Sequence, residues 1–574
     1  MRLDGLPDEN TPWPEAAWAP AFEQFRVNRA WWAADVDALA TFYTAEGQGN
    51  TRGDSDAMHF NKSTGVMHQG GLKSKLLSWW SGRPVAPGLS GRSTRLPSLL
   101  AGNIANLSAD VLTSEPPMVR LMVNGKPVKG GLQDRVDDLA NEADTHIVLS
   151  QAAELTAGLS GSVLVANWDR ANTDKPFSSV VNCDAVIPIY VGQRLDAVVM
   201  WTTHEQKTMT GVTTAVFYHV ERHESGRILH ALYKGTASSI GTLVPLDSID
   251  ATRHIPAIFG ALAGDDERGH TRILLTGIKT ITASYWRNRP TKTFDGVPDL
   301  AWLGRSDTEG AESYLDAHSM VWSSWMRDIK LARARLIVPE SFLSLNEPGT
   351  GGIFDDDQEV LTPLNFVELD GDDSKITAQQ FEIRATQHAE SIQAINREVL
   401  QHAGWSNSTY GDSTGGEGSS KTATEIVDRT TLTERTSDKK ALYFDKAYEL
   451  HLRAKLELDA FHYAGKNLPA DANIDIVHAP VSQMDPEKQA RIIGGLRTAM
   501  VATTKTLVAM LHPEWEAEQI DREVIEIQTE NGMGPEADPN ASVDENGDPI
   551  PLLEDPNQDP EKIDQSDPAN QPKA

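Results

Sequence analysis

Residues 304–339 read GRSDTEGAESYLDAHSMVWSSWMRDIKLARARLIVP, and their spacing predicts one long amphipathic helix. Ser306-Asp307-Thr308-Glu309 has the form of a capping box, in which a hydroxyl and a carboxylate satisfy the first free N–H groups. Behind it Leu315, His318, Trp322, Trp325, Ile329, Ala332 and Leu336 recur at alternating steps of three and four. That rhythm draws a single apolar stripe along a helix of 3.6 residues per turn. Pro339 ends it.

A second stretch mirrors the first. Thr377-Ala378-Gln379-Gln380 is another capping box. Phe381, Ala385, His388, Ile392, Ile395 and Val399 again alternate by four and three, and Gly404 follows as a C′ residue. Residues 340–376 between them read as short strands and loops, with Asp355-Asp356-Asp357 as an acidic turn. The pair predicts a helical hairpin with a small module at its tip.

Outward from the hairpin the pattern changes. Residues 95–114 predict a helix behind Pro97, with Leu100, Ile104, Leu107 and Val111 on one face. Residues 118–310 are short runs of Val, Ile and aromatics broken by Gly, Asp, Asn and Pro, with one helix near 131–158, so this part is α+β with antiparallel strands. Residues 405–421, WSNSTYGDSTGGEGSSK, read as a flexible polar loop. A third capping box, Thr422 to Glu425, opens a helix reaching about Ala464. Its first half is polar on nearly every side, which predicts a solvent-bridging or subunit-facing helix. Its second half carries Leu442, Phe444, Tyr448, Leu452, Leu456 and Phe461. Residues 473–481 predict a strand, and three helices follow near 486–501, 504–511 and 514–530. A helix from Pro20 to about Thr44 is expected near the N-terminus.

Composition limits the function classes. The 574 residues are 39% apolar, enough for sizeable cores and several domains. Formal charge is −30. Tight nucleic-acid binding needs clustered Lys and Arg, so an acidic chain argues against it, though not against a surface that DNA slides past. Residues 531–574 hold eleven acids and two lysines and read as a disordered acidic tail. Cys183 is the only cysteine, which excludes an intrachain disulfide and a cysteine-cluster zinc site and points to a reducing compartment. The N-terminus does not read as a signal peptide, and no apolar run is long enough to span a membrane.

Catalytic motifs fail on context. Gly411-Asp412-Ser413-Thr414-Gly415-Gly416 resembles the surroundings of a protease nucleophile, but it lies between helices with no His base or oxyanion hole in view. Gly415 to Thr422 is one substitution from a phosphate-binding loop, with Ser420 in place of the needed Gly and no preceding strand. His219, His223 and His230 fall on strands, where i and i+4 stand about 13 Å apart, so cross-strand His–carboxylate pairs are favoured over a metal site. Arg327, Lys330, Arg333 and Arg335 make the end of the first long helix basic, placed either to complement its dipole or to face phosphates. The residues alone describe a large α+β protein with a helical hairpin, oligomeric, with no catalytic residues, no metal and no cofactor.

Several segments resemble one family. RLPSLLAGNIANLSADVLTSEPP (95–117), the 304–339 stretch, TATEI (422–426) and LVAMLHPEWEAEQIDREVIEI (507–527) are similar to the portal proteins, or head–tail connectors, of tailed double-stranded DNA bacteriophages, most of all those of long-tailed actinobacterial phages. The resemblance implies a portal fold in a ring, commonly of twelve copies, at one capsid vertex of the virion, assembled in the host cytoplasm. Residues 1–94 would be an N-terminal extension and 95–303 with 422–485 the wing. Residues 304–338 and 377–404 would be the two stem helices, 339–376 the clip and 405–421 the tunnel loop. Residues 486–530 would be the crown and 531–574 the tail. The implied partners are further copies of the chain, the large terminase subunit, the head–tail adaptor, the major capsid and scaffolding proteins, and double-stranded DNA in transit, with no membrane. Ser408, Tyr410, Asp412, Ser413, Glu417, Ser419 and Lys421 would then face the DNA channel. Arg327, Lys330, Arg333 and Arg335 would line the stem, and Glu340 with Asp355, Asp356 and Asp357 would meet motor and adaptor. The loop carries Asp412 and Glu417 against a single cation, Lys421, so it is not built for strong phosphate grip. Two other classes remain: a capsid-associated scaffold without a channel, and a nucleotide-driven enzyme using Lys421 and Thr422.

Overall fold

The computed structural model describes residues 5–39, 96–331, 383–410, 423–478 and 486–530, apart from short breaks of which 256–271 is the longest. It also describes six short strands elsewhere, at 59–61, 66–68, 335–337, 344–345, 352–353 and 377–379. The chain divides into two compact units, Met1–Val481 and Ser482–Ala574. Helix and antiparallel strand are mixed throughout the first unit, as an α+β fold requires.

The helices, in chain order, are α1 (Ala19–Trp32), α2 (Leu100–Thr113), α3 (Gly131–Ala140), α4 (Ala143–Leu159), α5 (Glu312–Leu331), α6 (Ala385–Ala403) and α7 (Ala423–His462) in the first unit. The second unit holds α8 (Pro486–Thr498), α9 (Thr504–Leu511) and α10 (Ala517–Glu530). Thr503 caps α9 by accepting from the Thr506 N–H at 3.3 Å, and Lys505 pairs with Asp521 across to α10. The helix predicted near 131–158 is two helices, broken where Asn141 ends α3.

The main strands are β1 (Met118–Val123), β2 (Gly161–Asn167), β3 (Phe177–Asn182), β4 (Val186–Val191), β5 (Arg194–Lys207), β6 (Thr213–Glu224), β7 (Arg227–Thr236), β8 (Ser239–Val244), β9 (Arg272–Leu275), β10 (Ala283–Arg287) and β11 (Ala472–Val477). One sheet runs β8-β7-β6-β5-β4, and β9 also pairs with β7. A second runs β10-β2-β3, and β11 lies against β1 in a third. Every pairing is antiparallel, which is what short connections between successive strands allow.

Among the described residues five apolar clusters hold the first unit together, and three of them are large. In the largest, Leu6, Trp13, Trp18 and Phe25 pack with Val198, Val220, Leu229 and Tyr233 of the large sheet. The segment read as an N-terminal extension is therefore, over residues 5–39, part of the main core. Tyr233 donates to the Pro7 carbonyl at 2.9 Å, which fixes the segment across the sheet. A second cluster joins α3, α4, β1 and β11 to Phe444, Tyr448, Leu452 and Leu456 of α7. The third sets α1 and α2 against Leu315 of α5, Val399 and Leu400 of α6, and Trp405.

The hairpin forms, with different limits from those its motifs suggest. Residues 304–305 are extended and pair with Arg289-Pro290, and α5 starts only at Glu312. At the far end Arg335–Ile337 is a strand paired with Thr377–Gln379, so neither the first helix nor the second capping box extends there. Ile337 and Val338 are β-branched, which favours extended backbone. Helices α5 and α6 run antiparallel, because Asp328 meets Arg384 and His388 at one end while His402 meets the Glu309 carbonyl at the other. Twenty and nineteen residues make each about 30 Å long.

Gly404 closes α6 as expected, at φ +89°. A Cβ there would also stand 2.7 Å from the Thr436 hydroxyl. Gly404→Ala is expected to lower stability by about 1–2 kcal/mol from the left-handed backbone alone, and urea unfolding of the two proteins checks it.

Over residues 432–440 of α7, Thr433, Thr436, Ser437 and Lys440 are buried in this chain, while Leu432, Arg435, Asp438 and Lys439 are exposed. In its second half Phe444, Tyr448, Leu452 and Leu456 are buried, while Leu442 and Phe461 are exposed. His451 is also buried, with its Nε2 2.9 Å from the Ser178 hydroxyl. Burial, with Lys455 adding to it, pulls the His451 ring down to about 3. The folded ring thus stays neutral where the unfolded one, near 6.5, takes a proton. Its contribution is whole above pH 6.5 and is lost as pH falls towards 3, reaching about 2 kcal/mol by pH 5. His451→Gln should flatten the pH dependence of the urea midpoint between pH 7 and pH 5 by about one proton.

Candidate functional site

The base of the hairpin carries the densest set of buried charges. Asp307 lies in the turn just before α5 and is 1% exposed. Its Oδ2 accepts from Lys440 Nζ of α7 at 2.6 Å. Its Oδ1 accepts from Asn288 Nδ2 at 2.8 Å and pairs with Arg289 Nη2 at 3.0 Å. Lys440 Nζ also donates to Ser108 of α2 at 2.6 Å and lies 5.4 Å over the Trp405 ring.

Arg289 reaches both helices of the hairpin. One nitrogen holds Asp307 beside the start of α5, and Nη1 donates to the Ala403 carbonyl at the C-terminus of α6 at 3.0 Å. A guanidinium there also complements the negative end of the helix dipole. Small hydroxyls complete the joint. Thr436 donates to the Gly404 carbonyl at 2.7 Å, and the Ser406 N–H donates to Thr433 at 3.1 Å. Higher on α5, Trp322 Nε1 donates to His318 Nε2 at 3.1 Å, and His318 Nδ1 stands 2.9 Å from Ser98 Oγ ahead of α2.

The electrostatics follow from dryness and neighbours. Burial pushes the Asp307 carboxyl up, but Lys440, Arg289 and the Asn288 hydrogen bond outweigh it and hold it below the ordinary range. Burial pulls Lys440 down to about 8, with Asp307 opposing the fall. The pair is ionised at neutral pH. At the other end, burial pushes the Asp328 carboxyl up, while bonds from His388 and Arg384 overcome that and hold it low. The Trp325 ring stacks on His388 with centroids 6.1 Å apart. These are clamps on helix geometry, with no nucleophile or paired acid and base aimed at an open cleft.

The residues singled out from the sequence fall on different parts of this frame. Tyr410 lies in the turn after α6, where its hydroxyl accepts from Asn103 of α2 at 3.0 Å and its ring packs on the third cluster. Ser408 bonds Ser406 at 3.0 Å. Trp405 is 1% exposed, so the flexible stretch does not begin at 405. A large aromatic at that position buries too much apolar surface to be left in solvent. Asp412, Ser413, Glu417, Ser419, Lys421 and Thr422 lie outside the described residues. Arg327 and Lys330 are on α5, Arg335 is on the strand paired with 377–379, and Arg333 lies outside the described residues. Glu340, Asp355, Asp356 and Asp357 lie outside them as well.

Sequence reasoning missed the clamp itself. Asp307 reads as a capping-box member and Lys440 as one charge in a polar run. A signal for Lys440 was present: Thr433, Thr436 and Lys440 keep a three–four spacing. Small hydroxyls in a stripe leading to a lysine mark a buried polar seam. Nothing local points from Asp307 to a partner 133 residues away.

No family model matches this chain, and no curated protein matches it. Among the described residues no helix is long and apolar enough to cross a membrane.

Proposed function

We propose that this chain is the subunit of a phage portal, a non-enzymatic ring through which double-stranded DNA enters and leaves a capsid. The observation that carries the reading is the antiparallel pair α5–α6, tied at its base to the α+β body by Asp307, Arg289 and Lys440. A channel wall under load needs stiff rods with anchored ends, and a dry ion-pair joint is one way to anchor them. The short paired strands at 335–337 and 377–379 lie within the segments read as stem, next to residues 339–376, the clip in this reading. The chain's formal charge of −30 suits a conduit, because like charge cancels the counterion release that makes DNA bind tightly. In this reading the terminase motor and the adaptor act at the clip, and the chain hydrolyses nothing.

Native mass spectrometry of the purified full chain tests the proposal. A closed assembly of about twelve copies is the expected result by the family resemblance, since head-to-tail contacts close into rings. A stable two-fold dimer as the largest species would overturn it and favour the scaffold reading. ATP turnover lost on Lys421→Ala would favour the nucleotide-driven enzyme instead.

A further inference from the structure

The β6–β7 hairpin gathers three histidines around one carboxylate. Glu221 of β6 stands directly opposite His230 of β7. His219 and His223 lie two residues to either side of Glu221, hence on the same face of the sheet. All three rings are buried. His219 Nε2 and His230 Nδ1 are 3.3 Å apart. Glu221 Oε1 is 3.4 Å from His219 Nδ1, and Oε2 is 3.5 Å from His223 Nε2. One donor atom from each of His219, Glu221 and His230 lies within 4.8 Å of the other two.

We propose that His219, Glu221 and His230 form a binding site for one divalent transition-metal ion of the zinc type. Two imidazoles and a carboxylate are the donor set such ions take, with a fourth position left for water. Nitrogens each about 2.0–2.1 Å from a tetrahedral ion stand about 3.4 Å apart, close to the His219–His230 spacing. The carboxylate oxygen lies within 4.8 Å of both nitrogens, so turning the Glu221 side chain brings it in.

His223 occupies the outer position. Its Nδ1 contacts the Thr282 hydroxyl at 2.7 Å, and its Nε2 lies 3.5 Å from the second carboxylate oxygen. Solvent reaches the cluster through the half-buried Glu221 and through Thr202, which is exposed opposite His219 on β5. The spacing of i and i+4 along one strand argues against a site within β6 alone. The hairpin register supplies the ligand a single strand cannot, by setting His230 across from Glu221. The ion would cross-link β6 to β7, and the site is independent of ring formation.

The test uses the full chain, stripped with chelator and titrated with cobalt(II), then with zinc. The expected result is one equivalent of cobalt bound with the visible absorption of a tetrahedral nitrogen and oxygen site, displaced by zinc. Zinc should also raise the unfolding temperature, because it binds the folded chain preferentially. Glu221→Gln and His230→Gln should each weaken uptake at least about tenfold, while His204→Gln on the same sheet should not. Absence of saturable uptake by the unaltered chain overturns the proposal and leaves a shared proton between the two rings. So does uptake that survives in a folded His219→Gln/His230→Gln double variant.

Discussion

Asp307→Ala is expected to cost about 3–5 kcal/mol, because it leaves the buried Lys440 ammonium and the Arg289 guanidinium facing each other without their shared anion. Lys440 is 2% exposed, so water does not replace the lost partner. The reciprocal change is expected to be milder. Lys440→Met leaves Asp307 with Arg289 and Asn288, and fills the volume with an apolar chain. Adding Lys440→Met to Asp307→Ala should therefore recover part of the loss. Urea midpoints of the three variants check the order. The joint also has an acid limit. Asp307 is held below its unfolded value, so its contribution is present above about pH 4 and is lost as pH falls through its folded value.

Trp405→Ala is the second large effect, at about 3–5 kcal/mol for an aromatic removed from a closed core. Trp405 packs with Leu100, Ile104, Leu315, Val399 and Leu400, so one ring joins α2, α5 and α6. The Trp405 backbone N–H donates to the Leu400 carbonyl at 2.9 Å as part of the turn that ends α6. Loss of the ring opens the place where the hairpin, the loop after it and α7 meet. Trp405→Phe, which keeps most of the volume, should lose much less. The urea midpoint separates the two substitutions, and in the portal reading Trp405→Ala should also lower the yield of rings.

The hairpin was legible in the sequence because two apolar stripes keep a three–four rhythm and Gly404 ends the second. The antiparallel α+β region was legible from its short β-branched runs, and α9 falls on its expected residues. The capping boxes misled twice. Ser306–Glu309 has the right residue types, but Glu309 accepts from Thr293 and Ser306 donates to the Ala157 carbonyl, while Asp307 between them pairs with a distant lysine. Thr377–Gln380 has them too, and three of its residues are in a strand instead. Local hydrogen-bonding chemistry is the same in both settings, and tertiary pairing decides. The polar half of α7 reads as solvent-bridging or subunit-facing because a helix wheel shows polarity without showing depth, yet Thr433 and Thr436 are buried and find partners within this chain. Leu6, Trp13 and Trp18 show no periodicity. Their place in the main core follows from the sheet face they cover, which no short window of sequence contains.

In the portal reading α5 and α6 line a channel. Electron microscopy of the purified assembly shows which segment surrounds the central hole. A ring is expected whose hole is walled by the 312–331 and 385–403 helices, with the β4–β8 sheet outside them. A ring with that hairpin on its outer rim, or an assembly with no hole, would contradict it.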